Sequence, residues 1–172
     1  MTDHSAVDGT VSNVLVPSSL ISIPDAFGGQ PFQDSLIGDL VIRSGKIVGM
    51  GPSSQPDTPA RIVLPKFTEA HVHLDKCHSI DRMQGVGGDL HAAIMAQRVD
   101  KATWTEDNIR LRATRGLAEL IAAGCGAVRS HVDWGEGEEP DQPPMAWHVL
   151  GALAEESQAV LQRAALRLRR GG

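Results

Sequence analysis

From Phe67 onward the chain alternates between strand-like and helix-like patterning, and that order constrains its fold more than any other feature. The stretch PKFTEAHVHLDKCH, Pro65 to His78, sets His71, His73 and Asp75 at alternate positions, with Val72 and Leu74 between them. Side chains on a strand alternate between faces, so this spacing predicts one face of imidazole, imidazole and carboxylate and one apolar face. The run GDLHAAIMAQRVDKA reads as a helix, with Asp89 as N-cap and Leu90, Ala93, Ile94 and Gln97 along one side. A second helix is expected over about Thr105 to Ala123, where Ile109, Ala113, Leu117, Leu120 and Ile121 recur at helical spacing. Thr103 and Glu106 fit a capping box at its start, and Gly124 ends it. GAVRSHVDW then repeats the first strand's alternation, placing Arg129, His131 and Asp133 opposite Ser130 and Val132. PPMAWHVLGALAEESQ is helical, with Pro144 near its first turn, and AVLQRAAL is expected as a third strand. The order β, α, β, α, β implies parallel strands joined by right-handed crossovers.

The residues before Pro65 have a different texture. SNVLVPSSLIS and DLVIRSGKIVGMGP are rich in β-branched residues, and the turn dipeptide Ser44-Gly45 between two apolar runs predicts a hairpin. IPDAFGGQPFQDS, GPSSQPDTPA and the acidic GEGEEPDQPP supply the Gly, Pro, Asp and Ser clusters of loops.

Composition narrows the function. At 172 residues, 41% hydrophobic and 22% charged, the chain has the make-up of a globular protein, although its aromatic content is only 3%, so packing must come from Leu, Val, Ile and Ala. A formal charge of -5 argues against nucleic acid as a partner, since phosphate binding draws on clustered excess Lys and Arg. The amino end has no basic region followed by an apolar run, and no segment approaches the roughly 18 apolar residues of a membrane span. A cytoplasmic protein with no membrane partner is the expectation. Cys77 and Cys125 are too few for a disulfide framework and match no zinc-ribbon spacing, so both are expected as reduced thiols. Cys77, close to the histidines, is read as a buried thiol rather than a metal ligand.

HxHLDK at the end of FTEAHVHLDK, preceded by the DLVIRSGKIVGMG hairpin and followed by GAVRSHVD, resembles the opening of the amidohydrolase superfamily, most closely its cytosine deaminase-like branch. The resemblance runs from about Asn13 to Leu166. It implies an α/β fold: an amino-terminal β-sandwich segment over residues 1–64, then over 65–172 the first two to three βα units of an incomplete TIM-type (β/α)8 barrel. Such barrels take about 250 residues, and only 108 lie between Pro65 and Gly172.

The resemblance also implies the chemistry. His71 and His73 match two ligands of a divalent metal, zinc or iron, whose remaining ligands come from later strands in complete relatives. Asp75 matches the aspartate that orients the site from its edge, and His131 and Asp133 match the second-strand pair lining the substrate pocket. Arg129 would neutralise a charge there or form a structural salt bridge. Neutral imidazoles suit zinc or ferrous iron, and a bound metal supplies hydroxide at neutral pH for attack on the amidine-like carbon of a cytosine-type ring. The proton-shuttling carboxylic acid of relatives has no counterpart here, so no catalytic residue is identified. A small nucleobase-like substrate and a homo-oligomer are the expected partners. Alternatives stay open: another C–N hydrolase such as a triazine-type aminohydrolase, or a non-catalytic truncated fragment or metal-binding module. RLRRGG is unlike the expected loop after the third strand and reads as a solvated basic tail, consistent with truncation or frame-shift, and the chain alone is expected to be inactive.

Overall fold

The computed structural model describes residues 8–134, 141–160 and 165–170. Two compact units divide the chain, Met1–Pro65 and Lys66–Gly172. The expected acidic loop falls largely on residues 135–140 and the terminal glycines on 171–172, outside the described residues.

In the first unit, β1 (Gly9–Pro17) pairs antiparallel with β3 (Ser35–Arg43). The other edge of β3 takes β2 (Gln30–Phe32) and then β4 (Lys46–Gly51), while β5 (Arg61–Ile62) joins β1 in parallel. A sandwich requires two facing sheets. The described residues of this unit form one five-stranded sheet by hydrogen bonding, in which nine-residue β3 pairs with two short strands in succession along the same edge. The hairpin between β3 and β4 turns on Ser44 and Gly45 at φ 49° and 71°. Positive φ at both central residues is the geometry that matches the strand twist, and glycine meets it without strain. Val14, Val16, Leu36, Leu40 and Met50 form this unit's core. Beside it β1 bulges between Val11 and Val14, where Asn13 adopts φ 48° and is buried. Its amide donates to Asp39 Oδ1 at 2.8 Å and its side chain reaches Thr58 and Ser53, so the irregular backbone is satisfied by polar side chains.

The second unit is a parallel sheet of β6 (Phe67–Val72), β7 (Cys125–Val132) and β8 (Ala165–Arg170), in that order. Between β6 and β7 run α2 (Leu90–Lys101) and α3 (Glu106–Ala122), and between β7 and β8 runs α4 (Met145–Val160). This is the expected strand and helix order; the three strands do not close a barrel. Leu74, Ile109, Leu117, Val128, Val132 and Leu150 anchor the core that α3 and α4 share with the sheet. Gly116 lets α3 approach closely, since a Cβ there would sit 3.0 Å from Cys77 Sγ and 3.2 Å from a Leu74 methyl.

Several local expectations need correction. Asp89 does cap α2, accepting from the Ala92 amide at 2.7 Å. The buried side of that helix, however, carries Ala96 and Asp100, and Leu90 and Ile94 are exposed. Asp100 is drawn inward because its Oδ2 accepts from Trp104 Nε1 at 2.8 Å and Arg82 at 2.7 Å. Thr105, rather than Thr103, caps α3, with Oγ1 accepting from Asn108; Thr103 donates its hydroxyl to the Asp100 carbonyl at the end of α2. The third strand lies later than AVLQRAAL: α4 continues to Val160 and β8 begins at Ala165. The basic segment expected in solvent is thus β8 itself, paired with β7 from Ala127↔Ala165 to Val132↔Arg170. Its sequence ALRLRR alternates with period two, as a strand should. Among the described residues no helix is long and apolar enough to cross a membrane.

Candidate metal site at the end of the first parallel strands

β6 and β7 lie side by side with Val72 paired to Ser130, so the residues that follow each strand meet at one end of the sheet. β7 keeps its alternation to the end: Val128, Ser130 and Val132 are buried, while Arg129 is exposed and His131 half-buried. The first strand departs from it. Strand pairing stops at Val72, and the Lys76 and Cys77 amides both donate to the His73 carbonyl, at 3.3 and 3.1 Å, so the chain turns helically after His73. Asp75 therefore reaches the site through a turn rather than along a strand face, and it is fully buried. Ser130 makes the transition possible, its Oγ accepting the Leu74 amide at 3.1 Å where the ladder has ended.

The geometry gathers three imidazoles and two carboxylates. His71 Nε2 and His73 Nε2 are 3.4 Å apart, longer than a normal hydrogen bond. Two nitrogens each about 2.0–2.1 Å from one tetrahedral ion would lie roughly 3.3 Å apart, so this pair has the spacing of two ligands on a common cation. The His131 ring stacks on His71 at a centroid distance of 4.0 Å and an angle of 16°, propping that imidazole from the neighbouring strand. His73 Nδ1 is buried, without a hydrogen-bond partner, and faces Asp75 Oδ1 at 3.7 Å and Asp133 Oδ1 at 3.5 Å. A ligand histidine whose second nitrogen faces a carboxylate is the usual outer support of a metal site. Asp75 Oδ2 also accepts from the Asp133 amide at 3.3 Å, tying the two strand ends together. Among the described residues no group of three or more His, Cys, Asp or Glu side chains is arranged to hold a metal ion.

Electrostatics separate Asp133 from the thiol nearby. Burial would raise the Asp133 carboxyl, but the hydrogen bond and charge of Lys76, with His73 and Lys101, outweigh it and hold the group below the usual carboxylate value. Burial pushes the Cys77 thiol up, with Arg112 opposing; its Sγ lies 3.2 Å from both the Leu74 and Arg112 carbonyls. The half-buried thiol is thus directed at backbone carbonyls.

His71, His73, Asp75, His131 and Asp133 are brought together here. Arg129 is exposed, and no ion pair joins it to another described residue. Two contributors were missed, Ser130 and Lys76. Strand parity groups Lys76 with Val72 and Leu74, and only the helical turn swings its Nζ to Asp133 Oδ2 at 2.5 Å.

No protein-family model matches the chain. A pterin deaminase from Rhizobium rhizogenes is 28% identical over 141 residues, covering 77% of this chain and 32% of that protein. The 5-methylcytosine deaminase of Klebsiella pneumoniae, solved with 5-fluorocytosine, superposes with a TM-score of 0.61 at 22% identity, over 92% of this chain and 35% of its own. The N-isopropylammelide isopropylaminohydrolase of Burkholderia multivorans superposes with a TM-score of 0.50 at 22% identity, over 92% and 37%. The chain thus spans about a third of the length of these relatives. With its HxHLDK strand end and the hairpin before it, the chain is thus similar in sequence to a pterin deaminase and shares its fold with about a third of the 5-methylcytosine deaminase.

Proposed function

We propose that the chain supplies two metal ligands, His71 and His73, to a hydrolytic deaminase of a pterin-like or cytosine-like ring. The observation that carries this reading is the 3.4 Å separation of the two Nε2 atoms, with His73 Nδ1 turned toward Asp75 and Asp133. A divalent ion, zinc or iron, would supply there the acidification of water that hydrolysis needs at neutral pH. The chain's own residues do the holding. His71 and His73 present imidazole nitrogens, His131 supports the His71 ring, and the Asp75 and Asp133 carboxylates face His73 Nδ1 at 3.7 and 3.5 Å.

The reaction replaces an exocyclic amine on an amidine carbon by oxygen: water adds, the ring carbon becomes a carbonyl, and ammonia leaves. Pterin and cytosine rings both carry such an amine. The match to a pterin deaminase is one of sequence and favours a pterin ring, whereas for a cytosine or a substituted triazine only the likeness of fold speaks. The described residues include no group placed as proton shuttle.

Metal analysis of the chain, with ammonia release from pterin and cytosine, tests the reading. One divalent ion per chain, lost in both His71→Ala and His73→Ala, is expected. A parent that binds no zinc or iron, or variants that keep the parent's metal content, would overturn it. Ammonia release that survives both substitutions would remove these histidines from the reaction.

A further inference from the structure

We propose that Lys76 is a positioning residue for His73: by holding the Asp133 carboxylate at the ring, it keeps the proton on Nδ1 and leaves Nε2 open to a divalent cation. The role of Nε2 rests on the metal reading above; the role of Lys76 in choosing the tautomer stands on geometry of its own.

The main chain of Asp133 is pinned from two sides, its amide donating to Asp75 Oδ2 at 3.3 Å and its carbonyl accepting from Lys101 Nζ at 3.2 Å. Neither bond sets the direction of the side chain, which is 38% exposed, and its one side-chain hydrogen bond among the described residues comes from Lys76. Lys76 sets it. Its ammonium binds Oδ2 at 2.5 Å, and this orientation brings the other oxygen, Oδ1, to 3.5 Å from His73 Nδ1.

Lys76 also makes a second carboxylate tolerable. Asp75 Oδ1 approaches the same nitrogen at 3.7 Å from a fully buried position and makes no hydrogen bond. Two carboxylates around one imidazole repel each other, and an unpaired like charge in a partly buried site is costly. The Lys76 ammonium neutralises one of them. Neither carboxylate hydrogen-bonds Nδ1, but anionic oxygens at 3.5 and 3.7 Å favour by their charge the neutral tautomer with its proton on that side, which leaves the Nε2 lone pair toward His71. The helical turn after His73 is what places an ammonium three residues on beside a carboxylate from β7.

The test compares the parent chain with Lys76→Met, Lys76→Gln and Lys76→Arg. The tautomer of His73 is read from long-range proton–nitrogen-15 correlations in the metal-free chain at about pH 8, where an ordinary imidazole is neutral. Zinc affinity is measured by competition with a chromophoric chelator. The parent is expected to hold the Nδ1–H form. Lys76→Met and Lys76→Gln should shift the ring toward the Nε2–H form and weaken zinc by about tenfold, the lower end of the range for outer-shell partners. Lys76→Arg, keeping the charge, should retain both properties. The Gln variant serves if the Met variant does not fold. An unchanged tautomer in the neutral variants overturns the proposal, as does Lys76→Arg failing as fully as Lys76→Met. A parent that binds no zinc but shows the tautomer shift would retain Lys76 as a positioning residue and defeat the metal reading alone.

Discussion

Ser130 Oγ accepts the Leu74 amide at 3.1 Å across the ends of two parallel strands, and Ser130 itself is fully buried. One hydroxyl thus replaces a ladder bond where the chain leaves its strand and turns to bring in Asp75. Ser130→Ala strands the Leu74 N–H in a buried position, and a loss of about 1–3 kcal/mol is expected. All three tryptophans, Trp104, Trp134 and Trp147, lie in the same unit. Their fluorescence in a urea titration therefore reports this unit alone, and a midpoint equal to the parent's would show that water or another group satisfies the amide.

Asp75 faces His73 Nδ1 and is buried, so its charge bears on how the imidazole presents its other nitrogen. Asp75→Asn keeps the shape and removes the charge. Zinc affinity is expected to fall by about 10–100-fold, whereas exposed Arg129, unpaired among the described residues, should be replaceable by Ala without effect on zinc. Competition titrations on the two variants check both expectations, and equal affinities would contradict the assignment of Asp75.

Cys77 keeps its proton because burial opposes the thiolate. Cys77→Ser is expected to leave zinc stoichiometry unchanged, and the parent's Cys77 should alkylate more slowly than an ordinary thiol at neutral pH, gaining rate as pH rises. Mass-spectrometric site mapping separates it from Cys125. Loss of metal in the serine variant would make the sulfur a ligand.

Asp39 contributes a pH-dependent share of the first unit's stability. Hydrogen bonds from Ser54, its side chain foremost, and from the Asn13 amide hold the carboxyl below its ordinary value of 3.8. A carboxyl depressed by folding stabilises the folded state above its unfolded pKa, and that contribution disappears as pH falls through the lower folded value. Asp39→Asn should therefore be less stable than the parent at neutral pH, with the difference narrowing below about pH 4. Amide exchange in β1 and β3 as a function of pH gives the measurement; a constant difference would show that charge is not the cause.

Local pattern alone was enough for the strand and helix order after Phe67, the Ser44-Gly45 hairpin and the Asp89 cap, because each depends on neighbours within a few residues. It misplaced what depends on distant partners. Asp100, not an apolar residue, is the side chain that α2 buries with Ala96, since Trp104 and Arg82 supply its hydrogen bonds. Asp75 enters its site by a turn that the Ser130 hydroxyl supports, and Lys76, assigned by parity to the apolar face, meets Asp133 only because that turn rotates it. Spacing along a chain determines which residues share a face; whether a strand ends at Val72, and which charges then meet beyond it, is decided by hydrogen bonds from the adjoining strand.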